Sequence, residues 1–504
     1  MKFSKALPAL AGAVVLLSAC SDDASAPFAP DSALLSTGGY THGFTVSEVP
    51  TDYVVVMEGH RIPIGFAGRV AELGGEIVAS YGQIGIAVVR GLSAEAASEL
   101  QAADEVQLVE LDEQIQIIDP IGTETVTQAT VSAHQGPAGA SFFPRQWHMR
   151  AIGADRAWEA GRLGSSSVTV AILDTGLDYT YPDLAGRVDL DRSRDFVTWA
   201  GENQLRDFFF PGMHEVIDMH GHGTHVGNTV VSNGHIVAGV TQNVTLIGVK
   251  VLSAAGSGSS AGILAGIMYA ADAGADVINM SLGGTFSKSA NPGFVATINR
   301  AITYANRQGV VTVVSAGNSR IDMDHSEDLY KTYCSSPTTV CVSATGPTSG
   351  GTGPEWANVD APAWYTNFGR SSVDVAAPGG NTGGSVWAAC SKQRLGRTAT
   401  GAWTWHTCSI NTHLNYIVGM SGTSMASPHV AGLAALLVED HGNNVGLIRQ
   451  ILHESADKLG ESGNDPYYGK GRINVARALG LEEEAGPARS RPERASGSPA
   501  ALRN

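Results

Sequence analysis

The chain has 504 residues, of which 43% are apolar and 61 are glycine, enough for one large domain with many tight loops plus a small extra unit. Its formal net charge of −16 argues against nucleic acid or an anionic membrane as the main partner and is read as solubility.

Residues 1–20 read as a targeting segment. Lys2 and Lys5 make a positive start, and Ala6 to Leu17 is apolar but too short to span a bilayer stably. Leu17-Ser18-Ala19-Cys20, followed by Ser21-Asp22-Asp23, resembles a bacterial lipobox, which implies that Cys20 becomes a lipidated N-terminus on an exported precursor. Ordinary secretion with cleavage near Ala19 is the rival. With Cys20 lipidated, Cys334, Cys341, Cys390 and Cys408 remain. Sequence proximity favours Cys334–Cys341 and Cys390–Cys408, with three connectivities open. An oxidising compartment favours bridges over metal ligation, and no C-x-x-C pair is present.

Residues 21–50 form a linker of Ser, Ala, Pro, Thr and Gly. Residues 51–118 read as a small α+β unit. Its expected strands are Asp52 to Met57, Ile84 to Val89 and Val106 to Glu110. Its helices are Phe66 to Leu73, ended by Gly74-Gly75, and Ser93 to Leu100, capped by Ser93. An independent binding domain is one reading of this unit. Residues 119–145 are a second linker, rich in Thr, Gly, Ala and Pro.

Residues 146–480 read as α/β. Ser167 to Leu173 is the β-branched run of a strand buried on both faces. Further strands are expected at Val244 to Val251, Val277 to Met280, Val310 to Val314 and Val340 to Ser343. Helices are expected at Ala261 to Ala273, Ala296 to Arg307 and Met425 to Val438. Such alternation implies a doubly wound parallel sheet. Asp174, Ser281 and Asn318 each follow a strand end, so three loops meet on the rim where such sheets place their sites. Residues 481–504 read as a disordered tail.

Three motifs carry chemistry. Gly419 to Gly432 sets Ser424 at the start of a buried helix, where unpaired N–H groups stabilise negative charge; alone it could be a helix cap. His220-Gly221-His222-Gly223-Thr224-His225 invites a metal reading, but His222 and His225 lie three apart and no H-E-x-x-H pattern is present. The glycines suit an imidazole base close to a substrate backbone instead. Asp174-Thr175-Gly176 completes the order Asp, His, Ser.

These motifs, with Ser315-Ala316-Gly317-Asn318 and Tyr468 to Val475, resemble the subtilisin-like (subtilase) serine proteases across 146–480. Residues 51–118, ending in Val109-Glu110-Leu111-Asp112, resemble the inhibitor-like propeptide of that family. The resemblance implies a serine endopeptidase made as a self-processing zymogen, with polypeptide substrates and its own propeptide as intramolecular inhibitor. Ser424 would be the nucleophile, His222 the base, Asp174 its orienting acid, and Asn318 an oxyanion donor. His225 is expected to pack, His429 to be structural, and His220 has no assigned role.

Substrate backbone is expected between Ser253 to Gly258, where Gly256 and Gly258 allow close approach, and Ser281-Leu282-Gly283. No cofactor is implied for the chemistry. Structural calcium stays open near Val231 to Val240, where Asn233 is the obvious oxygen side chain; the metal ligand set is unknown. A monomer is expected. The segment 382–415, with Cys390, Cys408, Trp387, Trp403 and Trp405, is longer than in compact subtilisins and reads as a cleft wall or a clamped surface loop. Self-cleavage is expected within Ile115 to Pro144, close to Ile118. A peptide-binding pseudo-enzyme and a metal-dependent hydrolase are the other functional classes weighed.

Overall fold

A computed structural model describes residues 52–482 apart from 113, 118–119, 123, 134–135, 200, 284, 290–291, 332, 351–355, 412 and 462. Its centre is a seven-stranded sheet in the order Val375–Pro378, Val340–Thr345, Val311–Ser315, Val277–Met280, Thr169–Asp174, Thr245–Lys250, Arg194–Asp195. Every neighbouring pair is parallel. Successive side chains of a strand point to opposite faces. Val170 and Ile172 accordingly join a core with the helices His222–Val230 and Thr423–His441. Ala171 and Leu173 join a second core with Ser260–Asp272 and Pro292–Arg307. The sheet is therefore doubly wound, as the sequence pattern predicts.

The small N-terminal unit is an antiparallel sheet in the order Glu76–Tyr81, Ile86–Arg90, Tyr53–Met57, Val106–Leu111. The edge strand Glu76–Tyr81 is absent from the sequence reading, because its alternating half-buried residues lack an apolar run. One face of this sheet buries Val55, Met57, Ala87 and Val89 under its own two helices. The other face lays Val54, Ile86 and Val88 on the second core of the large domain.

Two carboxylates fasten this contact. Glu110 accepts from the Gly293 and Phe294 N–H groups, both at 2.8 Å, at the start of Pro292–Arg307. Asp112 accepts from the Ala261 N–H at 2.8 Å and the Ser260 hydroxyl at 2.6 Å, at the start of Ser260–Asp272. Each satisfies orphan donors at the positive end of a helix. Pro292–Arg307 thus begins four residues before the expected Ala296, since proline suits a first helical turn and its cap is supplied from a distant strand.

Residues 119–145 hold more structure than the linker reading expects. Thr125–Ala129 pairs antiparallel with Asn415–Met420, and the Phe142 N–H donates to the Ile236 carbonyl. The partner strand lies hundreds of residues away, so local composition does not reveal it. Cys334–Cys341 and Cys390–Cys408 are bridged.

Lys250 ends the strand beside Thr169–Asp174 and is fully buried. Its ammonium donates to the Thr175 carbonyl at 2.6 Å and the Ile217 carbonyl at 3.1 Å, and pairs with Glu202 at 2.9 Å. It thereby ties the loop after Asp174 to the loop before His222. Lys250→Met would leave Glu202 buried and uncompensated. Urea unfolding in a Ser424→Ala background, which prevents self-digestion, should show a loss of about 3–5 kcal/mol; a loss below about 1 kcal/mol would remove Lys250 from the scaffold.

Candidate active site

Three segments meet above the ends of the parallel strands. Asp174 closes the strand Thr169–Asp174, and the Thr175 N–H donates back to its Oδ1 at 2.7 Å. His222 opens the helix His222–Val230, and its Nδ1 lies 2.8 Å from Asp174 Oδ1 with both side chains fully buried. Ser424 lies in the first turn of Thr423–His441. Its hydroxyl donates to the Ser281 carbonyl at 3.2 Å. His222 Nε2 is buried without a hydrogen-bond partner.

Close approach of backbone makes this assembly feasible. A Cβ on Gly223 would stand 2.2 Å from the Gly176 carbonyl oxygen, so only glycine lets the histidine helix sit against the aspartate loop. Asp218 supplies the joint. Its carboxylate accepts from the N–H groups of His220, Gly221 and Thr224 and from the hydroxyls of Thr175 and Thr224. Sequence reasoning missed Asp218, which stands three residues before the cap residue Gly221 and so outside the position of a helix-cap signal.

Asn318 lies beside the serine helix. Its Oδ1 accepts from the Thr423 N–H and hydroxyl, both at 2.9 Å. Its Nδ2 stands 3.1 Å, and the Ser424 backbone nitrogen 3.7 Å, from where a Cβ on Gly422 would be.

The other histidines of this motif and of the serine helix sit in the scaffold. His225 Nε2 contacts the Val386 carbonyl at 3.1 Å, and burial lowers its pKa to about 3. His429 contacts the Met425 carbonyl through Nδ1 and His148 Nδ1 through Nε2, and burial lowers its pKa to about 4. His220 is half-buried beside Gly256 with its Nδ1 unpartnered, and desolvation and Arg394 lower its pKa to about 3. Among the described residues, Cys390, His406 and Cys408 are the grouping with metal-ligand geometry, but its two sulfurs are joined in a disulfide. The Val231 to Val240 segment does not fit calcium. Asn233 Oδ1 takes the Arg187 guanidinium at 2.7 Å, and the Asp183 carboxylate takes the N–H groups of His235, Ile236 and Val237.

The chain's own residues line the cleft. Gln114–Ile117 lies between Ser257–Ser259 and Leu282–Gly283, antiparallel to both. Ile115 faces Gly258, Gln116 faces Gly283 and Ile117 faces Leu282. The Ile117 N–H donates to the Gly256 carbonyl at 2.7 Å. Ile115 and Ile117 are buried. A Cβ on Gly258 would meet the Val251 carbonyl oxygen at 2.1 Å, so this edge needs glycine. Ser281 precedes the paired residues Leu282 and Gly283. Its hydroxyl donates to the Ser424 carbonyl at 2.9 Å and contacts Ser427, so its side chain braces the serine helix. Past Ser424, the Ile121 N–H donates to the Ser421 carbonyl at 2.6 Å, and Thr125–Ala129 continues along Asn415–Met420. Cys20 and Ile118 lie outside the described residues.

The structure thus brings a serine at a helix N-terminus and a carboxylate-paired imidazole to one rim of the sheet. The Subtilase family model matches residues 165–471, and the chain belongs to that family of serine peptidases. It is 34% identical over 328 residues to a thermophilic serine proteinase of Bacillus sp. strain AK1, covering 64% of this chain and 64% of that one. It is 32% identical over 341 residues to thermitase of Thermoactinomyces vulgaris, covering 67% of this chain and 97% of thermitase. In fold it is similar to the epidermin leader peptide processing serine protease of Staphylococcus aureus, with a TM-score of 0.64 at 19% identity, covering 86% of this chain and 98% of that one.

Proposed function

We propose that the protein is an exported endopeptidase, made as a zymogen that cuts its own chain and hydrolyses peptide bonds through an acyl-enzyme. The observation that carries this reading is the strand Gln114–Ile117, held as a peptide between Ser257–Ser259 and Leu282–Gly283. Main-chain pairing on both sides fixes a bond in place while leaving sequence free, as a peptidase requires.

In this reading Ser424 Oγ leaves the Ser281 carbonyl and attacks the scissile carbonyl, with its proton passing to His222 Nε2. Asp174 holds Nδ1–H and stabilises the imidazolium, and the proton then goes to the departing amine. The Asn318 amide and the Ser424 N–H receive the oxyanion. Asn318→Ala should therefore lower kcat by about 10²–10³-fold, the loss measured on subtilisin itself, with KM nearly unchanged. An unaltered kcat on a chromogenic peptide would remove Asn318 from the site.

The 51–118 unit acts as the tethered inhibitor, and tethering makes the first cut intramolecular. The bond lies close to Ile118, within Ile115 to Pro144. Ser424→Ala, expressed in the native host, should accumulate as a lipidated precursor still carrying Tyr53 to Ile118, while the wild type yields two fragments on immunoblots. Equal processing of the two would assign the cut to another protease.

Cys20 anchors the precursor through lipid, and cutting near Ile118 leaves the catalytic domain at the membrane only while the inhibitor stays bound. Cys20→Ser should move the precursor from the membrane to the soluble fraction and abolish palmitate incorporation. Identical fractionation of the two proteins refutes the anchor.

A further inference from the structure

The segment 382–415 makes contacts that the catalytic groups do not explain. Its bridge Cys390–Cys408 clamps a loop whose hairpin, Leu395–Arg397 with Trp403–Trp405, packs on the Gly201–Phe209 helix and on Ile217 and Met219, in the approach to the histidine helix. The loop is bound to that approach at two points. The Leu395 N–H donates to the Met219 carbonyl at 2.8 Å, and the Ser391 hydroxyl donates to the Asp218 carbonyl at 2.7 Å.

Arg394 is presented by this loop. Its carbonyl accepts from the His406 N–H and the Ser409 hydroxyl, which sets its backbone. Its Cδ stands 2.9 Å from where a Cβ on Gly221 would be, so the side chain lies directly over the residue before His222. The side chain is 12% exposed, and its guanidinium meets the Glu124 carboxylate at 2.7 Å. Burial would raise the Glu124 carboxyl, but Arg394 more than offsets this and keeps it charged below the usual range. Glu124 belongs to the segment on the leaving side of the cleft, between Ile121 on Ser421 and Thr125–Ala129 on Asn415–Met420. The ionisable side chains around this cation are Glu124, His220, His406 and, beneath Gly221, Asp218, whose carboxylate is held by backbone N–H groups; burial and Arg394 lower the pKa of both histidines. Asp218 is bonded by the N–H groups of His220, Gly221 and Thr224, so the guanidinium that faces Glu124 is the positive charge an arriving anion meets in this low-dielectric wall.

We infer that Arg394 is a specificity residue on the leaving side of the scissile bond, forming a subsite for an acidic side chain that Glu124 fills first. The inference rests on the peptidase reading. It makes the clamped insertion a selective wall, and the preferred substrates are polypeptides with a carboxylate shortly after the cut.

The test uses the self-processed protein and internally quenched peptides of residues 113–130, either native or carrying Glu124→Gln or Glu124→Lys. The native peptide should be cleaved with a kcat/KM about fivefold above the Glu124→Gln peptide, the upper range for a partly exposed ion pair. That ratio should fall to one in Arg394→Gln, survive in part in Arg394→Lys, and shift in favour of the Glu124→Lys peptide in Arg394→Glu. Equal cleavage of the peptides by the wild type, or an unchanged ratio in Arg394→Gln, overturns the inference and leaves the peptidase standing. Fluorophosphonate labelling of Ser424 without cleavage of any peptide overturns the inference as well. Absence of both labelling and cleavage overturns the peptidase reading and the inference together.

Discussion

The Asp174–His222 contact is the constraint on which the rest of the site depends. A side chain at a strand end and one at a helix start meet at 2.8 Å with both fully buried. Asp218 joins them through Thr175 and the start of the histidine helix, and Lys250 joins them again through the Thr175 and Ile217 carbonyls. Burying these charges is unfavourable unless each is paired or hydrogen-bonded. Asp218 and Lys250 meet that condition with several bonds each, so the polar network also orients the pair we assign to catalysis.

The second organising feature is the chain's occupation of its own cleft. Gln114–Ile117 uses the backbone edges that we propose for substrates, and Thr125–Ala129 uses the edge beyond the serine. The anchoring of the N-terminal unit comes from elsewhere. Apolar residues cover one helical face, and Glu110 and Asp112 cap two helices whose orphan N–H groups would otherwise turn to water. Separating the docking energy from the cleft contacts lets the tail bind as an ordinary peptide would, which suits a segment that must be both inhibitor and first substrate in the proposed mechanism.

The segment around Arg394 has its place in the same arrangement. A disulfide-closed loop loses little entropy when it docks, and its contacts with Met219 and Asp218 reach the loop that leads to His222. A rigid insertion can therefore place a charge beside the cleft without adding to the catalytic groups.

Much of this was legible in the chain itself. Apolar β-branched runs such as Thr169–Asp174 mark strands because both faces must be buried, and helix periodicity between them dictates a parallel, doubly wound sheet. Asp174, His222, Asn318 and Ser424 stood out because their local motifs combine glycine or small residues with strand ends and helix starts, where chemistry is exposed to a substrate. Proximity in sequence sufficed for both bridges, since short loops bring cysteines together without help from the fold. Only the tertiary structure decided the strand at Thr125–Ala129, the distant caps from Glu110 and Asp112, the joint at Asp218 and the meeting of Arg394 with Glu124. Each is a contact between residues far apart in the chain or a charge whose partner lies on another element. Composition and periodicity report what a segment buries, whereas such contacts depend on which segments the packed core brings side by side.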